Sequence, residues 1–262
     1  MLVFSAICPH PPLLIPNIGK GNLDKIKNTV TALKELEKEL YASKPDVILI
    51  ISPHGEIIPD AFCLNLNSNY QANFEDFGDF TTKMEFKSSP MLTLHLKERV
   101  EDFLPLVLSS EDKLDHGCAV PLFYLTKHLK NIEVIPIFYS LLDYDKHFQF
   151  GQLLKKEIVK SEKRVAVIAS GDLSHVLTKD APAGYSPKGE EFDTKFISLL
   201  KRKDVRGILK MDHHLIDEAA ECGLRSFLIL LGIIEEYQYE VNVLSYEGPF
   251  GVGYLVANFK LM

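Results

Sequence analysis

Two short runs, "DVILIIS" at 46–52 and "RVAVIAS" at 164–170, constrain the fold more than any other feature of the chain. Each is apolar along nearly its whole length and lacks the alternation of a strand that shows one face to water. Each therefore reads as a strand covered on both faces, the kind found in parallel sheets flanked by helices. The segments around them carry apolar residues at helical spacing: "LDKIKNTVTALKELEKELYAS", "SPMLTLHLKERVEDF", "AVPLFYLTKHL", "YDKHFQFGQLLKKEIVKSEK" and "EEFDTKFISLLKRK". A longer helix is predicted through "IDEAAECGLRSFLILLGIIEEY". "LVFSAIC", "AFCLNL" and "EVIPIFYSL" read as further strands, and "YEVNVLSY" and "GVGYLVANF" as a closing pair joined by "EGPFG". The polar, turn-rich "NSNYQANFEDFGDFTT" is expected to be a loop. Strands alternating with helices, without a repeat or a linker, predict one three-layer α/β/α domain over residues 1–262 around a mixed, largely parallel sheet.

Composition narrows the function. The 262 residues are 46% hydrophobic and 25% charged, enough to bury a substantial core. A formal charge of -7 and a pI near 5.7 leave no basic stripe for nucleic acid. No apolar stretch is long enough for a membrane span and no basic residues precede the first apolar run, so a cytoplasmic protein is expected. Cys8, Cys63, Cys118 and Cys222 form no CxxC pair, which argues against a zinc ribbon or a disulfide framework.

The informative residues follow the strands. His10 in "CPHPPLLIP" follows the first strand, His54 in "IISPHGE" a buried one, and His175 in "IASGDLSH" another, while His116 in "LDHGCAVPL" opens a helix. In open α/β sheets ligands bind at the carboxyl ends of the strands. One histidine at such a place is most often a structural hydrogen-bonding residue; several at equivalent places point to a site. Prolines beside His10 and His54 stiffen their turns and would hold the imidazoles in place for a divalent metal.

Two imidazoles seldom suffice, and the third ligand is sought in "DEAAECGLRS". On a continuous helix Glu218, Glu221, Cys222 and Arg225 fall at i, i+3, i+4 and i+7 and share a face that runs into the core. A carboxylate facing a core needs a cation, which a metal or Arg225 would supply. Cys222 is the alternative ligand, favouring a softer metal, and Glu247 a weaker one.

In their order and spacing, "CPHPPLLIP", "IISPHG", "LDHGCAVPL" and "SGDLSH" resemble the class III extradiol ring-cleavage dioxygenases, the LigB-like family, from residue 5 to about 255. The resemblance implies a non-haem Fe(II) oxidoreductase that opens a catechol-like aromatic ring with O2, and a homodimer. It implies His10, His54 and Glu221 as iron ligands, His175 as the catalytic acid–base group and His116 as a residue near substrate. "ECG" is also similar to the related Memo proteins, in which a cysteine before glycine takes the third metal position and ring cleavage is not the accepted role. Memo-like metal binding, or hydrolysis with zinc or another divalent metal, are therefore the alternatives. His95, His128 and His147 are expected at helix surfaces, His213 and His214 as rim or capping residues, and Cys8 and Cys118 as small packed residues. "SGDLS" lacks the spacing of a phosphate loop, and no G-x-S-x-G elbow surrounds Ser170 or Ser174.

Overall fold

In the computed structural model, which describes residues 1–262, the chain runs β1 (Leu2–Cys8), α1 (Pro16–Gly19), α2 (Lys27–Ser43), β2 (Val47–Ser52), β3 (Phe62–Asn65), β4 (Asn69–Phe74) and β5 (Asp79–Ser88). It continues with α3 (Pro90–Glu101), β6 (Leu106–Ser109), α4 (His116–Leu125), β7 (Glu133–Phe138), α5 (Tyr144–Lys160) and β8 (Val165–Ser170). The last third comprises α6 (Pro187–Lys201), α7 (Val205–Leu209), α8 (His213–Ala219), α9 (Leu224–Ile234), β9 (Tyr239–Glu247) and β10 (Tyr254–Leu261).

The apolar runs take the centre. All strands join one sheet, β4-β5-β7-β2-β8-β1-β10-β9, with β3 against the end of β7 and β6 beside β3. Its core, β7-β2-β8-β1, is parallel, and every residue of β2 and β8 is buried. Alternate residues serve opposite layers: Val47, Leu49 and Ile51 pack with α3, α5, α6 and α9, while Ile48 and Ile50 pack with α2 and α4. This is the three-layer α/β/α arrangement the strand pattern predicts, and burying both faces of those strands is its main source of stability. Cys8 pairs with Ser170, and Ile51 with Ala169, so β1, β2 and β8 finish level and open on one crevice. No helix is long and apolar enough to cross a membrane.

The structure corrects three expectations. The segment read as a loop after β3 is largely an antiparallel hairpin, β4 and β5, with a short 3-10 turn at Glu75–Phe77. Its inward set, Tyr70, Ala72 and Phe74, alternates with polar residues as an edge strand requires. The long C-terminal helix is two helices, because Ala220 adopts the left-handed conformation with φ of 50° and ends α8. Glu221, Cys222 and Gly223 lie in the break. His147 is buried rather than exposed, with Nδ1 3.0 Å from the Asp143 carbonyl and Nε2 3.0 Å from that of Ser140. It shares the inward stripe of α5 with Phe150, Gly151 and Leu154.

Candidate metal centre

His10 leaves β1 through a Pro-His-Pro turn and is fully packed, 2% exposed. Its Nδ1 lies 3.0 Å from Ser170 Oγ at the end of β8, and its backbone N–H donates to Asp172 Oδ1 at 3.0 Å. With Nδ1–H donating to Ser170, Nε2 presents a lone pair to the crevice, the tautomer that second-sphere partners commonly fix in metal-binding histidines. His54, two residues beyond β2, brings its Nε2 to 2.9 Å from His10 Nε2.

The third group comes from the break between α8 and α9. Gly171 and Gly223 meet backbone to backbone: a Cβ built on Gly171 would stand 2.3 Å from the Gly223 Cα. The apposition lets Asp172 N–H donate to Cys222 Sγ at 3.3 Å and Cys222 N–H to the Asp172 carbonyl at 3.4 Å. Cys222 Sγ then lies 3.6 Å from His10 Nε2, and the donor atoms of His10, His54 and Cys222 all fall within 4.8 Å of one another. Bonds of about 2.0–2.3 Å from nitrogen and sulfur to one ion span roughly 3–3.5 Å between donors, so the His10–His54 and His10–Cys222 separations suit a shared divalent metal, and His54 and Cys222 would draw together on binding it.

Glu221 is not in this cluster. Its Oε2 accepts the Leu224 N–H at 2.5 Å, a carboxylate placed on the first free N–H of α9 at the positive end of the helix dipole. The pairing of Glu221 with Arg225 considered from spacing is absent; the Arg225 guanidinium lies instead over the rings of Tyr144, at 4.8 Å, and Tyr139, at 5.9 Å. Glu218 is exposed, and Glu247 caps the start of α2, accepting from Thr29 N–H and Oγ1, each at 2.7 Å. Helical periodicity placed Glu221 and Cys222 on one face; the left-handed Ala220 turns them apart.

His116, first residue of α4, stacks on His54 with ring centroids 4.2 Å apart and meets the edge of His10 at 5.4 Å. Asp115 caps α4 at Cys118 N–H, and its Oδ1 also receives Ser52 Oγ–H at 2.5 Å, tying the helix start to the end of β2. His175 follows β8 by five residues, its N–H donating to the Ala219 carbonyl at 2.9 Å, and its buried Nδ1 has no hydrogen-bond partner. Cys8 and Cys118 are buried and packed. His95, His213 and His214 are exposed, while His128 pairs with Glu37 at 2.8 Å.

Electrostatically the centre is built to hold uncharged imidazoles. Burial pushes His10 well below its ordinary range, with the neighbouring histidines adding to the effect. His54 falls to about 4, by desolvation and then by His116, although part of its ring reaches solvent. His116 and His175 are lowered by burial. Burial raises Asp172 to about 7, and raises the Cys222 thiol well above its usual value. Neutral imidazoles are ready ligands, whereas the thiol becomes one by giving up its proton to bind metal. Asp172, which the motif "SGDLSH" contains but which spacing did not single out, grips both His10 and Cys222 and carries its Oδ2 to 3.8 Å from His10 Nε2.

A parallel-centred α/β/α sheet with histidines converging beside its strand ends is the arrangement of the LigB-like, extradiol class. The chain belongs to the LigB family: the model of the catalytic LigB subunit of aromatic ring-opening dioxygenase matches residues 5–257. Protein CA_C1420 of Clostridium acetobutylicum is 35% identical over 264 residues, covering 97% of this chain and 56% of that protein, so the chain spans a little over half of that relative. The 3,4-dihydroxyphenylacetate 2,3-dioxygenase of Escherichia coli is 28% identical over 267 residues, covering 93% of this chain and 94% of the enzyme. The 4,5-DOPA dioxygenase extradiol of Beta vulgaris is 27% identical over 183 residues, 66% of this chain and 65% of the enzyme. The crystal structure of uncharacterized protein JW3007 from Escherichia coli K12 superposes with a TM-score of 0.69 at 16% identity over 98% of this chain and 99% of that one, a likeness of fold.

Proposed function

We propose that this chain is a Memo-like member of the LigB family, a protein that holds iron or zinc through His10, His54 and the thiolate of Cys222 and binds a ligand beside it without opening a catechol ring. One observation carries the reading: Cys222 Sγ stands beside the two imidazoles while the Glu221 carboxylate is spent on the first turn of α9. A thiolate in place of a carboxylate shifts preference toward softer metals and donates more charge to the ion than the two-histidine, one-carboxylate face of non-haem oxygenases. The bound metal would supply Lewis acidity to an oxygen or nitrogen of the ligand.

The chain's own residues do the rest. Ser170 and Asp172 hold His10 in its orientation, and Asp172 fixes Cys222 through the paired backbone contacts. His116, stacked on His54, walls the ligand side of the centre. His175, near His10 and held neutral by burial, is the candidate to accept a proton from a ligand hydroxyl.

A second reading, extradiol cleavage of a catechol-like aromatic with Fe(II) and O2, is favoured by the family match and by the presence of His116 and His175 beside His10. Anaerobic loading with Fe(II), followed by O2 and a panel of catechols, separates the two. The proposal expects a sulfur neighbour in the X-ray absorption spectrum of the loaded metal and no catechol-dependent oxygen uptake. Formation of the yellow ring-opened product, surviving in Cys222→Ala, would overturn it in favour of the dioxygenase.

A further inference from the structure

Beside the histidines the crevice widens into a cavity of about 360 Å3, and its charge is one-sided. His54 and His116 form part of its wall, with Phe77 edge-on to His116 at 5.3 Å and Phe138 contributing a second aromatic ring. Its ionised groups are Glu56, from the turn after β2, Asp76, from the hairpin tip, and Glu111, Lys113 and Asp115, from the segment between β6 and α4. Lys113, the single cation, is spent on Asp76 at 2.7 Å. Glu56 and Glu111 make no ion pair, and Asp115 Oδ2 has no hydrogen-bond partner.

The wall is fixed in place rather than assembled by drifting side chains. Gln71 N–H donates to the Asp112 carbonyl at 2.7 Å and Leu114 N–H to the Gln71 carbonyl at 2.8 Å, clamping the β4–β5 hairpin to the segment that carries Glu111 and Lys113. Carboxylates arriving from two of these segments and from the turn after β2 thus surround a space next to the donor cluster. Uncompensated charge of one sign in a cleft excludes ligands of that sign and concentrates the opposite one. Carboxylates beside aromatic rings suit an ammonium group attached to a planar or apolar body, the carboxylates meeting the charge and the rings the body.

We propose that the ligand of this cavity is a small organic cation, an amine-bearing aromatic whose hydroxyl or amine reaches the metal centre, and that Glu56 and Glu111 select it over neutral and anionic analogues. The inference rests on reading His10, His54 and Cys222 as a metal site. The carboxylates that select the charge are separate from those donors, which lets the two ideas fail separately.

The test titrates three catechols that differ only in the charge of their side chain, dopamine, 4-ethylcatechol and 3,4-dihydroxyphenylacetate, into zinc-loaded full-length protein by calorimetry without O2. Two uncompensated exposed carboxylates predict dopamine about tenfold tighter than 4-ethylcatechol, with the arylacetate weakest. High salt compresses the series. In the double variant Glu56→Gln, Glu111→Gln the three affinities converge to within about twofold while zinc content is unchanged. Equal affinities, tightest binding of the arylacetate, or no binding of any catechol to zinc-loaded protein would overturn the proposal. Zinc content is measured first. A chain that takes up no zinc overturns the metal reading alone, and the charge order is then read with tyramine, 4-ethylphenol and 4-hydroxyphenylacetate, which need no metal.

Discussion

Adjacent residues, Glu221 and Cys222, are assigned different work by the structure, and substitution of each separates the two roles. Cys222→Ala removes one of three donors. Loss of an outer-sphere partner already weakens metal sites about 10–100-fold, so loss of a donor should reach at least about 100-fold. At fixed metal concentration that is about 2.7 kcal/mol less stabilisation by bound metal, or roughly 5–10 °C in the metal-induced rise of Tm for a domain of this size. The metal-free Tm should fall by about 2–4 °C, since the Asp172 N–H loses its acceptor at about 1 kcal/mol. Glu221→Ala separates from it in the metal-dependent part. It removes the acceptor of Leu224 N–H at the start of α9, about 1 kcal/mol after relief of the buried charge, and lowers the metal-free Tm by about 2–4 °C. Its metal-induced rise should match that of the parent. The assay is thermal unfolding with and without zinc or Fe(II), paired with elemental analysis after dialysis against a competing chelator. Metal lost from Glu221→Ala and kept by Cys222→Ala would refute the assignment of the third ligand.

Ser170→Ala, which strips the partner of His10 Nδ1, should lower metal affinity about 10–100-fold with the fold intact, as chelator competition would measure. Gly171→Ala drives a Cβ to 2.3 Å from the Gly223 Cα, and the backbone shift should cost about 1–3 kcal/mol in urea unfolding and displace Cys222, so metal content falls with stability. Metal binding at neutral pH should expel at least one proton, because His10 and His54 are held neutral while the Cys222 thiol is held protonated and Asp172, at about 7, is partly so; calorimetry in buffers of different ionisation enthalpy reads it, and zero release would contradict a thiolate ligand. His147, pushed down to about 4 by burial against an unfolded value of 6.5, binds its proton less readily in the folded chain, so its share of stability is full above pH 6.5 and lost as pH falls toward 4. Between pH 7 and pH 5 that share is about 2 kcal/mol, and His147→Phe should lose about that much less than the parent in urea unfolding over the same interval.

Some parts of this molecule were legible because they depend on local pattern. The fully apolar runs of β2 and β8 foretell a covered parallel sheet, and histidines two residues beyond β1 and β2 foretell a shared crevice once the strands are neighbours. Other parts depend on contacts between distant segments. The β4–β5 hairpin lies at an edge of the sheet with much of β5 exposed, so its polar composition resembles that of a loop, although Tyr70, Ala72 and Phe74 keep strand alternation. The burial of His147 was within reach of the sequence, since it sits three and four residues before Phe150 and Gly151 on the inward stripe of α5. Asp172 gave no such signal: its position against both His10 and Cys222 exists only when β1, β8 and the α8–α9 break are assembled.

The helix break sets which side chain faces the imidazoles, and it coincides with a close backbone contact. "EAAECGL" has the composition of a continuing helix, and continued it would carry Glu221 and Cys222 on neighbouring positions of one face. Instead Ala220, in the left-handed conformation, ends α8, and just beyond it Gly171 comes so close to Gly223 that a side chain on Gly171 would strike the Gly223 backbone, while one on Gly223 would strike the Phe227 ring. The turn delivers Sγ of Cys222 to the imidazoles and leaves the carboxylate of Glu221 to cap the new helix. On the proposed reading, sulfur rather than oxygen completes the metal face at this contact. Because sulfur and oxygen donors favour different metals and different redox behaviour, the proposed thiolate site would make the chemistry of this member of the LigB family depend on the packing of two elements at the rim of the sheet.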